Sequence, residues 1–295
     1  MTARIISGTE IAKQIREELQ REIDDLKEKY DLTPGLATVI VGDDPASQTY
    51  VSTKIKACQA LGLYSANYPL PGTVSENELL NLVGQLNSDP KIHGILVQVP
   101  LPRHIDEGRV LTAISPDKDV DGFHPVSVGR MVIGQPTFLP CTPHGIQELL
   151  IHAGVPTEGA EVVIVGRSNI VGKPVANILL QKAAGANSTV TVCHSATRDI
   201  ASHTRRADIL IAAIGKPKFI TADMVKPGAT VIDVGTNEIG KTPAGKRILS
   251  GDVDFDNVRE IAGAITPVPG GVGPMTIVML MTNTVKAAKL AHGLK

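Results

Sequence analysis

Val163-Ile164-Val165-Gly166-Arg167-Ser168-Asn169-Ile170-Val171-Gly172-Lys173-Pro174 is the stretch on which the fold of this chain turns. Its first three residues continue an apolar run from Val162 and read as a buried strand. Gly166 closes the run, and Asn169 to Lys182 reads as a helix. A strand that ends in glycine and enters a helix suits a dinucleotide pyrophosphate. Glycine lets the backbone approach the phosphates, and a helix start offers N–H groups and the positive end of its dipole. The spacing is not G-x-G-x-x-G, so the general fingerprint is absent. An ordinary tight turn between strand and helix is the alternative.

Toward the C-terminus, Thr189 to Cys193 reads as the next strand and runs into His194-Ser195. In an NAD site an acid near this point grips the ribose 2′-hydroxyl. None is present, and an acid would repel a 2′-phosphate. Arg167 and Ser168 supply a charged fork and a hydroxyl instead, so the sequence predicts NADP over NAD. Ala207 to Ile214 and Ala229 to Val234 read as further strands. Gly251-Asp252-Val253-Asp254 and the loop Thr266 to Pro274 follow, and Met275 to His292 reads as a closing helix.

Toward the N-terminus the same alternation recurs. Ile11, Ile15, Leu19, Ile23 and Leu26 recur at three- and four-residue steps and predict an amphipathic helix over 9–30. Leu36 to Val41 predicts a strand, 46–61 a helix, and 75–87 a helix opened by a Ser75/Glu78 capping box. Gly94 to Val99 predicts a strand that runs into Pro100-Leu101-Pro102. Strands alternating with helices imply βαβ units, hence an α/β fold with parallel sheet. Between the two series, Ser115 to Pro143 is rich in Gly, Pro and Asp and has little periodicity. It reads as an interdomain region lining a cleft.

Composition narrows the function. The chain has 295 residues, with 29 Lys plus Arg against 30 Asp plus Glu, so no general positive field awaits a nucleic acid. Trp is absent, and four Tyr and four Phe give few platforms for stacking bases. Cys58, Cys141 and Cys193 are scattered, which suggests reduced thiols. No CxxC or HExxH spacing is present, so no metal site is expected. The first residues do not read as a secretory signal, and the apolar runs are strand-sized, so no membrane association is expected and the cytoplasm is the expected location.

Chemistry-bearing residues cluster in the first half. Tyr50 and Lys54 are four apart on a predicted helix and share a face. The Y-x-x-x-K spacing also occurs in short-chain dehydrogenases, but there the nucleotide segment precedes it; here the order is reversed. Gln98 lies on an apolar strand, where a buried amide needs partners. Asp117-Lys118-Asp119-Val120-Asp121-Gly122 is a carboxylate-rich loop without the length or terminal Glu of an EF-hand. One of its aspartates is suited to grip the ring N–H and amino groups of a heterocycle.

Taken together, five segments resemble the bifunctional methylenetetrahydrofolate dehydrogenase/methenyltetrahydrofolate cyclohydrolase family over essentially the whole chain. They are Tyr50–Lys54, Gln98–Pro102, Pro116–Gly122, Gly166–Ser168 with Val171–Pro174, and Pro267–Pro274. The resemblance implies a folate-binding catalytic domain over 1–142, joined by the helix 275–295, and a Rossmann-like NADP-binding domain over 143–274. It implies Lys54 as the key catalytic residue, Tyr50 stacking on folate, Gln98 supporting Lys54, and Asp121 holding the pterin. Gly166, Arg167, Ser168, Ser195 and Thr236 would contact NADP, Thr236 through its backbone. Pro267, Gly270 and Gly271 would border the folate. The substrates would be tetrahydrofolate one-carbon derivatives, the assembly a homodimer, and purine biosynthesis one outlet of the product. The alternatives are another two-domain NADP dehydrogenase, of shikimate or amino-acid type, and a folate- or nucleotide-binding protein without turnover.

Overall fold

The protein is described from a computed structural model, which covers residues 2–242, 245 and 247–294. Met1 and Lys295, the outer bounds of the expected first domain, lie outside the described residues. In chain order the elements are β1 (Arg4–Ile5), α1 (Gly8–Tyr30), β2 (Gly35–Val41), α2 (Pro45–Ala60), β3 (Tyr64–Leu70), α3 (Glu76–Ser88), β4 (Gly94–Val97), α4 (Glu107–Ala113) and α5 (Pro125–Val132). Then come α6 (Cys141–His152), β5 (Glu161–Val165), α7 (Gly172–Leu179), β6 (Thr189–Cys193), α8 (Ile200–Thr204), β7 (Ile209–Ala212), β8 (Thr230–Asp233), β9 (Asn237–Lys241), β10 (Arg247–Ser250), α9 (Phe255–Val258), β11 (Ala264–Ile265) and α10 (Val272–Ala291).

The chain divides into two compact units. One holds residues 14–141 and 277–294, around a three-stranded parallel sheet in the order β3-β2-β4. Every residue of β2 and β4 is buried, which is the pattern of a parallel sheet covered on both faces. Ala37, Val39, Ile95 and Val97 share a core cluster with Leu79, Val83 and Leu86 of α3. That helix starts where the capping box is expected. Ser75 Oγ accepts from Glu78 N at 3.2 Å, and Glu78 returns a bond to Ser75 N at 2.9 Å.

The other unit holds residues up to Lys13 and 142–276, around a six-stranded parallel sheet in the order β1-β11-β8-β7-β5-β6. Val163, Val165, Leu210, Ala212 and Val231 form one continuous core. The first residues differ from the sequence expectation. β1 pairs in parallel with β11, and Ala3 joins this core, so residues 3–5 belong to the six-stranded sheet. A two-residue strand carries too little pattern to announce its partner.

Ser115 to Pro143 also differs from its aperiodic reading. It contains α5, whose N-cap is His124: Nδ1 accepts from Val126 N at 3.0 Å, and Pro125 sits at the first turn. α10 is apolar nearly all round and is buried from Met275 through Ala288 at most positions. Its residues up to Thr276 belong to the six-stranded unit and those from Ile277 to the other.

Candidate active site

In the three-stranded unit, α2 brings the first group of candidates together. Asp44 caps it, accepting from Ser47 N at 2.7 Å. Val51, Lys54 and Cys58 are all buried, at steps of three and four, so Lys54 occupies a core position on an otherwise apolar stripe. Its residue is 4% exposed. Lys54 Nζ donates to Gln98 Oε1 at 3.2 Å and lies 4.6 Å from the centroid of the Tyr50 ring. Tyr50 itself is 38% exposed, so one ring can face a ligand while Lys54 stays covered. Gln98 follows β4 and continues its ladder, Gln98 N donating to Val39 O at 2.8 Å. Its Nε2 donates to Val99 O at 2.7 Å, which turns the amide oxygen toward the lysine.

Burial pushes the Lys54 pKa down from its ordinary value, while the nearby charges of Asp121 and Cys141 oppose the shift. Asp121 is half-buried in a tight loop that Gly122 closes. Gly122 has φ +74°, and a Cβ there would lie 2.7 Å from Pro140 N, so only glycine fits. The loop is anchored on β4 by Ile95 N donating to Lys118 O at 2.9 Å.

Three residues in or beside this loop were given no individual role by the sequence reading. Asp119 is buried and accepts from Phe123 N at 3.2 Å and His124 N at 2.9 Å. Burial pushes its pKa up to about 6. Cys141 is buried, its Sγ 3.4 Å from Val120 O, and burial together with the Asp121 charge raises its thiol pKa. Asn283 of α10 donates to Val120 O at 2.8 Å and Leu139 O at 2.9 Å. Cys141 and Asn283 lie far from Asp121 in sequence, and no local motif links the three.

The remaining candidates lie in the six-stranded unit, not with Lys54. Gly166 follows β5, Ser195 follows β6, Thr236 follows β8, and Pro267, Gly270 and Gly271 follow β11. All six strands of its large sheet are parallel, so these residues gather at the carboxyl ends of that sheet. β5 lies between β6 and β7, the point where strand order reverses and where open α/β sheets bind ligands. Gly166 has φ +132°, and a Cβ there would lie 2.0 Å from Ala213 O. A Cβ on Gly172 would lie 2.1 Å from Gly166 O. The turn is therefore a bare-backbone cradle of the kind a pyrophosphate needs.

One detail differs from the sequence expectation. The start of α7 does not present free N–H groups. Ser168 Oγ accepts from Val171 N at 3.1 Å and Gly172 N at 3.4 Å, Ser168 O accepts from Lys173 N at 3.1 Å, and Pro174 has no N–H. A phosphate bound here would meet the turn itself, the exposed Arg167 guanidinium, and the Ser168 hydroxyl proton, which its acceptor role leaves available. Beyond β6, the turn at His194 is closed by His194 N donating to Thr197 Oγ1 at 2.9 Å, with Ser195 exposed and no acid in the segment. The residues present thus fit a dinucleotide, and fit one with a 2′-phosphate.

Comparison with known proteins decides the lineage. Residues 6–121 match the model of the tetrahydrofolate dehydrogenase/cyclohydrolase catalytic domain, and residues 140–292 match that of the NAD(P)-binding domain of the same family. This chain belongs to the tetrahydrofolate dehydrogenase/cyclohydrolase family. The bifunctional protein FolD of Dehalococcoides mccartyi (strain CBDB1) is 68% identical over 294 residues, covering 100% of this chain and 99% of that protein. The crystal structure of the FolD methylenetetrahydrofolate dehydrogenase/cyclohydrolase from Campylobacter jejuni is 47% identical, with TM-score 0.91 over 98% of this chain and 99% of that one. The Trypanosoma brucei enzyme, solved with NADP cofactor and inhibitor, is 42% identical, with TM-score 0.93 over 99% of each chain. Full-length similarity at this level to bifunctional members of the family sets aside the shikimate-type and amino-acid-type alternatives.

Proposed function

We propose that this chain oxidises 5,10-methylenetetrahydrofolate with NADP and hydrolyses the resulting 5,10-methenyl compound to 10-formyltetrahydrofolate, with Lys54 moving the protons. The observation that carries the reading is a covered lysine with a lowered pKa, hydrogen-bonded to an amide oxygen and lying beside a half-exposed tyrosine ring. A protein that only binds folate or nucleotide gains nothing from burying an amine at this cost.

In this reading Tyr50 stacks on the pterin, and the Asp121 carboxylate accepts from its amino and ring N–H groups. Pro267, Gly270 and Gly271 border the folate. Gly166, Arg167, Ser168, Ser195 and the Thr236 backbone hold NADP, which when bound accepts a hydride from the bridge carbon. The remaining cation is shared by two nitrogens, so that step needs positioning and no strong base. In hydrolysis a water oxygen bonds to the bridge carbon and gives a proton to neutral Lys54. N5 then takes a proton back from the lysine as the bond from that carbon to N5 breaks, and the new hydroxyl loses its remaining proton to solvent, leaving the neutral formyl group on N10. Gln98 holds the nitrogen in place throughout.

Domain roles follow from the residues: folate chemistry on the unit with Lys54, NADP on the unit with Gly166. Among the described residues no helix is long and apolar enough to cross a membrane. The three buried free cysteines accord with a reducing cytoplasm, where the product would feed one-carbon metabolism, including purine biosynthesis. A homodimer is expected, and sedimentation velocity measures it directly. The deciding experiment is a spectrophotometric assay of methylenetetrahydrofolate with NADP or NAD, with and without added cyclohydrolase. NADPH should appear without accumulation of the methenyl compound. Absence of folate-dependent NADP reduction would remove the reading.

A further inference from the structure

Two aspartates that take no part in the chemistry above sit at the carboxyl ends of the nucleotide-type sheet. Asp252 is 0% exposed and Asp233 is 2% exposed. The Asp252 carboxylate accepts from three consecutive backbone N–H groups. Ile214 N and Gly215 N reach Oδ2 at 2.6 and 2.9 Å, and Lys216 N reaches Oδ1 at 2.9 Å. Oδ1 also accepts from Asn237 Nδ2 at 2.8 Å. Asp233, at the end of β8, holds the segment that carries Asp252. Its Oδ1 accepts from Gly235 N and Asp252 N, each at 2.9 Å, and its Oδ2 from Val253 N at 3.0 Å. Packing admits nothing larger around them. A Cβ on Gly251 would lie 1.8 Å from Asp233 Oδ2, and one on Gly235 would lie 2.4 Å from Asp252 Oδ1.

The loops tied here leave β7 and β8. The β7 loop also reaches the phosphate-type turn, because Ala213 O is the atom that a Cβ on Gly166 would strike. The β8 loop carries Thr236. Drawing three successive N–H groups onto one carboxylate fixes the peptide planes of residues 214–216. Four donors on two oxygens require an acceptor-only group with four lone-pair directions, which a carboxylate has and an amide lacks.

We infer that Asp252, seated by Asp233, is a positioning residue for the dinucleotide: it presets the backbone of residues 213–216 and 234–237, against which NADP binds. The inference rests on the functional reading above and extends it to residues outside the folate chemistry. Its effect passes through backbone geometry, since both carboxylates are covered by the loops they hold.

Asp252→Asn keeps the shape and sets an amide N–H against a backbone N–H. It is expected to raise the NADP KM by about tenfold or more, because small displacements in a positioned site cost that much or more. Hydrolysis of methenyltetrahydrofolate supplied directly, without NADP, should keep its wild-type rate. That split separates positioning from a general loss of structure, which would depress both activities. Asn237→Ala retains both carboxylates and is the milder form of the test; it decides the matter if Asp252→Asn does not accumulate as folded protein. A wild-type enzyme that reduces NADP, with NADP KM unchanged in the folded variants, overturns this inference alone. A wild-type chain that neither reduces nor binds NADP by calorimetry overturns it together with the functional reading.

Discussion

At the scale of single residues, the proposed chemistry concentrates on Lys54. Lys54→Met keeps the length of the side chain and removes the amine. Loss of acid–base catalysis should lower methenyltetrahydrofolate hydrolysis by about 10²–10⁴-fold. Oxidation should remain measurable, because in the proposed mechanism Tyr50 and Asp121 still position the folate and hydride loss needs no base. The methenyl compound should then accumulate, which its absorbance reports. Equal loss of both activities in a folded variant would reassign Lys54 to substrate positioning. The same substitution has a stability signature. Burial lowers the Lys54 pKa in the folded protein, whereas the unfolded chain keeps the ordinary 10.5. Between the lowered pKa and 10.5 the unfolded state binds more protons, so wild-type stability rises with pH through that window. Lys54→Met should therefore melt above wild type near neutral pH, and the gap should close as pH approaches 10.5. Calorimetric Tm values across that range check the sign.

Elements set what those residues can reach. The β5–α7 turn holds Arg167 exposed at the reversal point of the sheet, while Ser168 Oγ accepts from the Val171 and Gly172 N–H groups at the start of α7. Arg167→Ala should raise the NADP KM by about tenfold, the lower end for a charge-assisted hydrogen bond because the side chain is solvated. The KM for NAD should change little. Steady-state rates with both nucleotides measure the difference, and equal effects would place the 2′-phosphate elsewhere. Several elements were invisible in sequence for physical reasons. β3, Tyr-Ser-Ala-Asn-Tyr-Pro-Leu, is a half-exposed edge strand with no clean alternation, and its place is fixed by seven parallel partners on β2. β9 and β10 pair as a short exposed hairpin with little apolar content. α5 is signalled only by His124 and Pro125, a weaker mark than the Ser75/Glu78 box.

At the scale of the whole molecule, the chain visits its two units out of sequence order. The three-stranded unit takes residues 14–141 and then the greater part of α10. On α10, Val278, Met279, Leu280, Met281 and Val285 are buried, Asn283 ties Val120 and Leu139, and Lys289 pairs with Glu22 at 2.6 Å. Each large apolar side chain is worth about 1.5–3 kcal/mol on burial, against a net domain stability of about 5–15 kcal/mol. A fragment of residues 14–141 should consequently lack a fixed fold and give poorly dispersed amide NMR signals. Fusing residues 277–294 to it through a flexible linker should restore dispersion. A well-dispersed spectrum from the short fragment would show that α10 is dispensable.

The sequence by itself determined the alternating elements, the parallel α/β class, the glycine turn after β5 and the missing acid after β6, because each is written in local spacing or in one residue's chemistry. It also supplied Tyr50 and Lys54 on one helical face, since a step of four is a property of the helix alone. Only the tertiary structure decided that Lys54 is buried against Gln98, that β1 pairs with β11, and that Cys141 and Asn283 close around the Asp121 loop. It alone shows that Asp233 and Asp252 anchor the strand-end loops of the nucleotide-type sheet. Those facts depend on contacts between residues tens to hundreds of positions apart. Burial, which lowers the pKa of the lysine, is a sum over such contacts, and no window of sequence contains it.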